Sequence, residues 1–134
     1  MRKSPYAGMI FNGMGRPLNL DGVSATLPAS MGGNKTPIID EEMLRNPSAE
    51  DWVKEYHGKL WRKEIEAEFG PAPERLRRIS IVESAAIQTF PQDYKFCGSK
   101  SAIYTQIGNA VPCSLAQTVA TAVTEVIFGK EAEQ

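Results

Sequence analysis

Hydrophobic residues recur at steps of three and four positions in two stretches of the chain. The first stretch begins behind Ser48, whose hydroxyl suits a helix N-cap. It predicts an amphipathic helix near residues 48–69, which Gly58 weakens or interrupts and the Gly70-Pro71 pair ends. The second stretch predicts a final helix that packs strongly, with apolar positions at Leu115, Val119, Ala122, Val123, Val126 and Ile127.

A capping signal predicts a shorter helix between these two. Ser80 and Glu83 have the spacing at which a hydroxyl and a carboxylate satisfy reciprocal backbone amides. A helix of about two turns is expected to follow. Its short apolar face consists of Val82, Ala85, Ala86 and Phe90.

Loop-forming residues dominate the other segments. The first 39 residues are rich in Gly, Pro, Asn and Ser, and their short apolar pieces at 9–11, 25–27 and 38–39 predict brief strands. Loops are also expected at the polar cluster 99–101 and at Gly108-Asn109, ahead of the final helix. The pattern therefore predicts a mixture of helices and short strands.

Composition narrows the class of protein. The chain has 134 residues, 42% of them hydrophobic, which suffices for one domain with its own core. Its net charge of -1 argues against an indiscriminate nucleic-acid binder, although basic residues lead in positions 1–37. We expect no membrane span and no secretion signal, and hence a cytoplasmic protein. Cys97 and Cys113 lack the spacing of a zinc site, so both are expected to be reduced and buried.

Two runs in the last third of the chain carry a family resemblance. The first, Arg78 to Pro91, joins an Arg, a Ser, a Glu, paired small residues, a Gln and a Phe-Pro ending. The second, Tyr104 to Pro112, reads Tyr-Thr-Gln-Ile-Gly-Asn-Ala-Val-Pro. In this order they resemble the last two motifs of the DNA (cytosine-5) methyltransferases. The first run departs from the family at Val82, where an arginine is common, so no role of that side chain carries over.

The final motif of that family helps to close the pocket for the methionine part of S-adenosylmethionine. Taken on its own, Gly108 permits close backbone approach, and exposed amides beside a helix start suit a carboxylate. The resemblance implies that Asn109 and Ala110 contact the cofactor. Some members have a serine where Ala110 stands, so only the backbone of Ala110 can contribute.

The glycine-rich front segment is similar to the target-recognition region of the same family. On their own, the runs 13–16 and 25–35 are ordinary structural turns. Because they precede the two motifs, these runs resemble the recognition region of that family. In that region an arginine and a Thr-Leu loop with a Gly-Gly pair lie against duplex DNA. Arg16 can donate a bidentate pair to a guanine edge, while hydroxyls, Lys and bare glycine amides can hold phosphates. The implied DNA contacts are Arg16, Thr26, Ser30, Gly32, Gly33 and Lys35.

Catalysis is expected from residues outside this sequence. Methylation of cytosine carbon 5 requires a nucleophile that attacks carbon 6, and the family uses a cysteine after a proline. Pro112-Cys113 offers that dipeptide, but inside the final motif, where the family places no nucleophile. The glycine-rich cofactor loop, the Glu-Asn-Val-like motif and the Gln-Arg-Arg-like motif do not occur in the sequence. We therefore expect the chain alone to be inactive.

The resemblance implies the C-terminal portion of a cytosine-5 DNA methyltransferase of the restriction–modification kind. Its fold class is α/β, mixed α+β in isolation, with an incomplete methyltransferase fold. Residues 1–77 are assigned to the recognition region and residues 78–134 to the segment that completes the cofactor-binding domain. The expected partners are duplex DNA and an N-terminal catalytic portion or subunit. The apolar face of the last helix should be exposed in the isolated chain or buried by self-association.

Two alternatives stay open on the sequence. One is a DNA-binding or regulatory module that no longer methylates, and the other is the small subunit of a split methyltransferase. The only histidine, His57, lies on the tryptophan-bearing helix and is expected to be a packed or exposed side chain, and no metal site is expected. Trp52 and Trp61 are expected in a core or interface stripe.

Overall fold

The structure is a computed structural model that describes residues 17–33, 35–66 and 73–129. The mixture of helices and short strands expected from the sequence is confirmed. In chain order the elements are β1 (Ile38–Asp40), α1 (Glu41–Arg45), α2 (Trp52–Trp61), β2 (Leu76–Arg78), α3 (Ile81–Ile87), α4 (Lys100–Asn109) and α5 (Cys113–Phe128).

The sheet consists of β1 and β2, which pair antiparallel with Ile39 opposite Arg77. Of the three strands expected in the first 39 residues, the one at 38–39 is confirmed. Residues 25–27 form no strand; the segment is irregular, and Leu27 within it is buried in the core. The third, at 9–11, lies outside the described residues.

The helix predicted near residues 48–69 is confirmed as α2, but it is shorter. Its N-cap is Asp51, whose carboxylate accepts from the Lys54 amide at 3.0 Å, and not Ser48 as expected. Gly58 lies inside the helix without interrupting it. The helix ends before Lys63, whose φ of 59° is incompatible with a continuing helix.

The two tryptophans of α2 differ in their surroundings. Trp52 is half-buried and stacks on Tyr56, with ring centroids 4.7 Å apart. Trp61 is 90% exposed, so of the predicted core or interface stripe the core position is wrong for this residue, and an interface position stays a prediction. The reason is its position at the C-terminal end of α2, past the part of the helix whose Val53 packs on β1 and β2.

The main core lies where the loop after Leu27 meets the sheet, α3 and α4. Its buried members are Leu27, Met31, Ile39, Ile79, Tyr104 and Ile107. Buried Tyr104 keeps its polar end satisfied, because its hydroxyl donates to the Ile79 carbonyl at 2.8 Å. The core therefore joins the front loop to both runs that carry the family resemblance.

The capping box predicted at Ser80 and Glu83 is confirmed at the start of α3. The Ser80 hydroxyl accepts from the Glu83 amide at 3.2 Å, and the Glu83 carboxylate accepts from the Ser80 amide at 2.7 Å. The predicted apolar face is wrong at Val82, which is 77% exposed, and at Ala86, which is also exposed. The buried position is Ser84 instead, whose hydroxyl donates to the Ser80 carbonyl within the helix.

The loops expected at 99–101 and 108–109 belong to α4, except for Ser99, which precedes its first residue. Ser99 caps this helix by accepting from the Ala102 amide at 3.3 Å, and Asn109 is its last residue. The chain then runs extended through Ala110 and Pro112 before α5. The final helix is thus confirmed, while the expected entry loop is confined to the three residues after Asn109.

The apolar face of α5 is exposed, as the sequence predicted for the isolated chain. Five of its large apolar side chains are between 49% and 71% exposed, namely Leu115, Val119, Val123, Val126 and Ile127. None of the residues of α5 is buried. An exposed apolar face of this extent is uncommon on a folded single chain.

The stretch Lys100–Phe128 passes the length and hydropathy criteria for a membrane-spanning helix, with a mean hydropathy of 1.4 over its most apolar window. No run of that length was expected from the sequence. The backbone, however, is extended between α4 and α5, so the stretch is two helices. The 16 residues of α5 extend about 24 Å at roughly 1.5 Å per residue, less than a hydrocarbon core of about 30 Å.

Candidate functional site

The C-terminal end of α4 packs directly on the front loop. A Cβ placed on Gly108 would lie 2.5 Å from the Pro28 carbonyl oxygen and 2.7 Å from the Ala29 Cα. A glycine is required at this distance, so the close approach predicted for Gly108 is confirmed. The contact brings the run predicted to hold the cofactor against the loop predicted to face DNA.

Gln88 fastens the end of α3 to the turn that follows α4. Its side-chain amide donates to the carbonyls of Ile107 and Ala110, at 3.1 and 3.3 Å. Its backbone carbonyl accepts from the Cys113 amide at 3.1 Å. Buried Gln88 therefore holds the turn on both sides and joins the first run to the second in this chain.

Thr89 adds a second link, from α3 to the start of α5. Its hydroxyl accepts from the Ser114 amide at 2.9 Å. This replaces an ordinary cap, because Pro112 at the N-cap position has no side chain able to accept. Thr89 has a φ of 56°, in the left-handed region that β-branched residues rarely adopt. The link is made by a strained residue.

The residues predicted to contact the cofactor lie at this junction, with Asn109 exposed and Ala110 half-buried. The prediction that free amides beside a helix start would suit a carboxylate here is wrong. Asn109 ends a helix, and helix ends present carbonyls. The first two amides of α5 are already bonded, since Cys113 donates to the Gln88 carbonyl and Ser114 to the Thr89 hydroxyl.

An open cavity of about 410 Å³ lies beside Ala110. The segment Val23–Leu27 forms one wall, and Gln88, Gly108 and Pro112 contribute to the other. Its described lining residues include no charged side chain. Ala110 lines this cavity and its carbonyl keeps a second lone pair, so it fits one edge of an S-adenosylmethionine pocket, whereas Asn109 is not among the described lining residues.

The glycine loop predicted to face DNA is held by a residue that the sequence analysis missed. The Gly32 amide donates to the Thr36 hydroxyl at 3.0 Å, and that hydroxyl donates to the Gly33 carbonyl at 2.8 Å. Gly32 has a φ of 101°, which favours glycine. Its amide is therefore occupied, and the prediction of a bare amide for phosphate is wrong at Gly32. A threonine three residues after a Gly-Gly pair was the available signal, because hydroxyls often close such turns.

The other predicted DNA contacts fall into three groups. Thr26, Ser30 and Lys35 are exposed on or beside the loop that Gly108 supports. Gly33 is half-buried within it. Arg16 lies outside the described residues.

An ion-pair network anchors β2 to its neighbours. Arg77 contacts Glu41 at 2.6 Å and Glu83 at 2.7 Å, and Arg75 contacts Asp40 at 2.9 Å. The pKa of Glu83 is lowered to about 2, and the hydrogen bond from Arg77 is the main cause. Burial opposes this shift by raising the pKa, whereas the hydrogen bonds from Ser80 lower it further. The same partners raise the pKa of Arg77 above its usual value.

The remaining titratable candidates form no catalytic constellation within the described ranges. Cys97 and Cys113 are both free thiols, as expected, but Cys97 is exposed, so the expected buried role is wrong there. Its surroundings form an open loop, in which its carbonyl accepts from the Gln106 side chain. Half-buried His57 meets the Tyr56 ring edge-on. Residues 17–33, 35–66 and 73–129 contain no group of three His, Cys, Asp or Glu side chains that could hold a metal.

Comparison with known proteins places these features in a family. The profile of the C-5 cytosine-specific DNA methylases matches residues 23–125, more than half of the chain. The type II methyltransferase M.Bpa9945I of Bacillus paralicheniformis is 48% identical over 59 residues, which are 44% of this chain and 13% of that protein. Type II methyltransferase M.PspPI of Psychrobacter sp. is 46% identical over 55 residues, 41% and 13% of the two chains.

A third relative, the type II methyltransferase M1.HphI of Haemophilus parahaemolyticus, is 47% identical over 53 residues, 40% of this chain and 14% of its own. The chain thus matches only about an eighth of the length of these curated relatives. No solved structure matches it. Because the family profile covers most of the sequence, including both runs and the glycine loop, the chain belongs to the C-5 cytosine-specific DNA methylase family.

Proposed function

We propose that this chain forms the C-terminal part of a DNA (cytosine-5) methyltransferase. The whole enzyme transfers a methyl group from S-adenosylmethionine to carbon 5 of cytosine in duplex DNA, in the cytoplasm. The chain supplies DNA recognition through residues 1–77 and one edge of the cofactor pocket through residues 78–134. The nucleophile comes from a separate catalytic portion.

The contact between Gly108 and Pro28 carries this proposal. It fixes the cofactor edge at Asn109 and Ala110 relative to the loop that bears Thr26 and Ser30. A methyltransferase needs that relationship, because the target base must leave the duplex and reach the methyl donor. A rigid backbone contact positions the two sites better than a flexible linker between them.

The cofactor edge acts by shape and hydrogen bonding. Asn109 offers an exposed amide, and Ala110 offers its carbonyl beside the cavity formed with Val23–Leu27. S-adenosylmethionine supplies the activated methyl group when bound. The bonds from Gln88 keep the turn at Ala110 in place, so Gln88 is a positioning residue.

The DNA contacts come from the exposed side chains of the glycine loop. Thr26, Ser30 and Lys35 would contact phosphates, and Gly32 and Gly33 would let the backbone approach the duplex. Arg16 is proposed to read a guanine edge. Since Thr36 already occupies the Gly32 amide, the side chains carry most of the phosphate contact.

Cys113 is not the nucleophile in this proposal. It is the first residue of α5, half-buried, and its amide is held by the Gln88 carbonyl. In that position it starts a helix whose exposed apolar face is free to dock on the catalytic portion. The docked surface is the face of Leu115, Val119 and Val123.

The test is transfer of a labelled methyl group from S-adenosylmethionine to duplex DNA. The chain is assayed alone and then mixed with a matching N-terminal catalytic portion that carries the nucleophile. We expect no methyl transfer by the chain alone and methyl transfer by the mixture. Transfer by the chain alone, abolished by Cys113→Ser, would overturn the assignment of the nucleophile.

A chimeric protein distinguishes two causes of an inactive mixture. Either the two portions fail to associate, or this chain has no role in methyl transfer. The matched segment of a relative such as M.Bpa9945I is replaced by the corresponding segment of this chain. We expect the chimera to methylate DNA and the same chimera with Gly108→Trp to lose activity. An inactive chimera that folds, together with salt-dependent DNA binding by this chain alone, would instead support a non-catalytic DNA-binding module.

A further inference from the structure

Thr36 closes the glycine loop through three hydrogen bonds to two consecutive glycines. The Gly32 amide donates to the Thr36 hydroxyl at 3.0 Å, and this hydroxyl donates to the Gly33 carbonyl at 2.8 Å. The Thr36 amide donates to the same Gly33 carbonyl at 3.1 Å. The hydroxyl therefore acts as acceptor and donor at once, and its removal breaks two of the three bonds.

The two glycines need these bonds because packing alone does not fix them. No atom of the described residues lies within 4 Å of a Cβ placed on Gly33. Gly32 is exposed, and its nearest neighbours would be 3.4 Å from an added Cβ, which is ordinary van der Waals contact. Glycine has more backbone freedom than any other residue, so a loosely packed glycine pair samples many conformations unless hydrogen bonds hold it.

Thr36 is itself held by the body of the protein. Its side chain is 2% exposed, and the carbonyl of the next residue, Pro37, accepts from the Ile79 amide at 3.0 Å. The other end of the loop is fixed independently, because Met31 is buried and its amide donates to the Pro28 carbonyl at 3.0 Å. Thr36 thus ties the glycine pair between these two anchors to the sheet.

We propose that Thr36 is a positioning residue for DNA binding, whose hydroxyl holds Gly32 and Gly33 in the conformation that meets the duplex backbone. The inference rests on the proposed function, in which exposed Ser30 and Lys35 on either side of the glycine pair contact phosphates. Thr36 does not touch DNA, since its side chain is buried and its hydroxyl already donates and accepts within the loop.

The physical effect is pre-organisation of the loop. A loop that is ordered before it binds pays less conformational entropy on binding. If the hydroxyl is lost, only a fraction of the molecules carries the loop in the binding conformation, and the apparent affinity falls by that fraction.

The experiment measures binding of the full chain to a fluorescent duplex by anisotropy across a series of salt concentrations. Thr36→Val removes the hydroxyl at nearly the same volume and should weaken binding roughly tenfold. Thr36→Ser keeps the hydroxyl and should restore most of the affinity. The slope of log affinity against log salt should not change in Thr36→Val, because no phosphate contact is lost. Lys35→Gln, which removes a proposed phosphate contact, should instead lower that slope by about one.

Two further measurements separate positioning from a general loss of stability. The control Val53→Ala removes packing from the second buried cluster, away from the loop, and should lower the Tm without changing DNA affinity at a temperature where the chain is folded. Exchange of the Gly32 amide hydrogen should be faster in Thr36→Val than in wild type or Thr36→Ser. In the mixed methyltransferase, Thr36→Val should raise KM for DNA and leave KM for S-adenosylmethionine unchanged.

Each outcome decides. If Thr36→Val binds the duplex as tightly as wild type, or if Val53→Ala weakens binding equally, the positioning role is overturned and the proposed function stands. A wild-type chain that binds no duplex, alone or with the catalytic portion, overturns both. If Thr36→Val does not fold, Thr36→Cys is compared with Thr36→Ser, since the thiol has a similar shape but bonds weakly. Equal affinities of the Cys and Ser variants would then overturn the positioning role.

Discussion

Gly108 of α4 lies so close to Pro28 of the front loop that a Cβ on Gly108 would be 2.5 Å from the Pro28 carbonyl oxygen. The obstructing atoms belong to backbone, which cannot rotate away as a flexible side chain would. The glycine loop, which is predicted to face DNA, therefore packs directly against α4. The C-terminal end of α4 is predicted to face the cofactor. Any side chain at position 108 must separate the two.

Gly108→Ala should lower the free energy of unfolding by roughly 1–3 kcal/mol, because overpacking outweighs the better helix propensity of alanine. Urea unfolding followed by circular dichroism measures the change. The matched control is Gly129→Ala, where no atom lies within 4 Å of the added Cβ. Equal stability of the two variants would contradict the close contact.

Gln88→Met should cost about 1–3 kcal/mol of unfolding free energy. The side chain keeps its length but loses the donor that satisfies the Ile107 and Ala110 carbonyls. In the mixed methyltransferase the same change should raise KM for S-adenosylmethionine, since Ala110 is no longer held. Gln92→Met, at an exposed position nearby in sequence, should leave both quantities unchanged.

Thr89 combines a strained backbone with a useful hydroxyl, so its replacements should separate the two effects. Thr89→Val keeps the β-branch at a φ of 56° and loses the bond to the Ser114 amide, which should destabilise the chain by about 0.5–2 kcal/mol. Thr89→Asn should stabilise it by a few tenths of a kcal/mol or more, because Asn tolerates this φ and keeps an acceptor. Thermal unfolding of both variants checks the order, and a Val variant as stable as wild type would contradict it.

The Arg77–Glu83 pair should make stability depend on acid pH. The pKa of Glu83 is lowered to about 2 from an ordinary value of 4.5, so its stabilisation is fully present above pH 4.5 and is lost as the pH falls toward 2. Glu83→Gln should therefore lower the free energy of unfolding by about 1–2 kcal/mol at neutral pH. This value allows for screening of the ion pair by solvent, because the Arg77 and Glu83 side chains are 36% and 34% exposed.

The difference between wild type and Glu83→Gln should shrink between pH 4.5 and 2, which urea unfolding at a series of pH values measures. The control is Glu55→Gln on α2, whose partners Lys59 and Arg62 have side chains about half exposed. Breaking that pair should cost no more than about 0.5 kcal/mol. If the difference in unfolding free energy between wild type and Glu83→Gln stays constant across this pH range, the Arg77 bond is not the cause of that difference.

The exposed face of α5 should govern association. Val119→Lys should reduce self-association of the chain alone and weaken complementation by the catalytic portion, because it places a charge on the apolar face. Thr121→Lys lies on the other side of the helix and should change neither. Sedimentation velocity and the mixed methyl-transfer assay provide the measurements. A wild-type chain that is monomeric and indifferent to the catalytic portion would contradict the docking role.

The features that the sequence predicted correctly depend on neighbours within a few positions. The capping box at Ser80 and Glu83 and the helical period of α2 and α5 are short-range patterns, since they involve residues one turn apart. The errors occurred where local signals conflicted. Ser48 and Asp51 are both good N-caps, and Gly108 resembles a loop residue although it lies inside α4.

By itself the sequence determined the helices α2, α3 and α5, the strand at 38–39, the apolar face of α5 and the two runs typical of the family, but not α1 or α4. Only the tertiary structure decided that Gly108 meets Pro28 and that Gln88 holds Ala110. These pairs are separated by 80 and 22 positions along the chain. Nothing in a local pattern encodes such distances, because they follow from how complete elements pack on a common core.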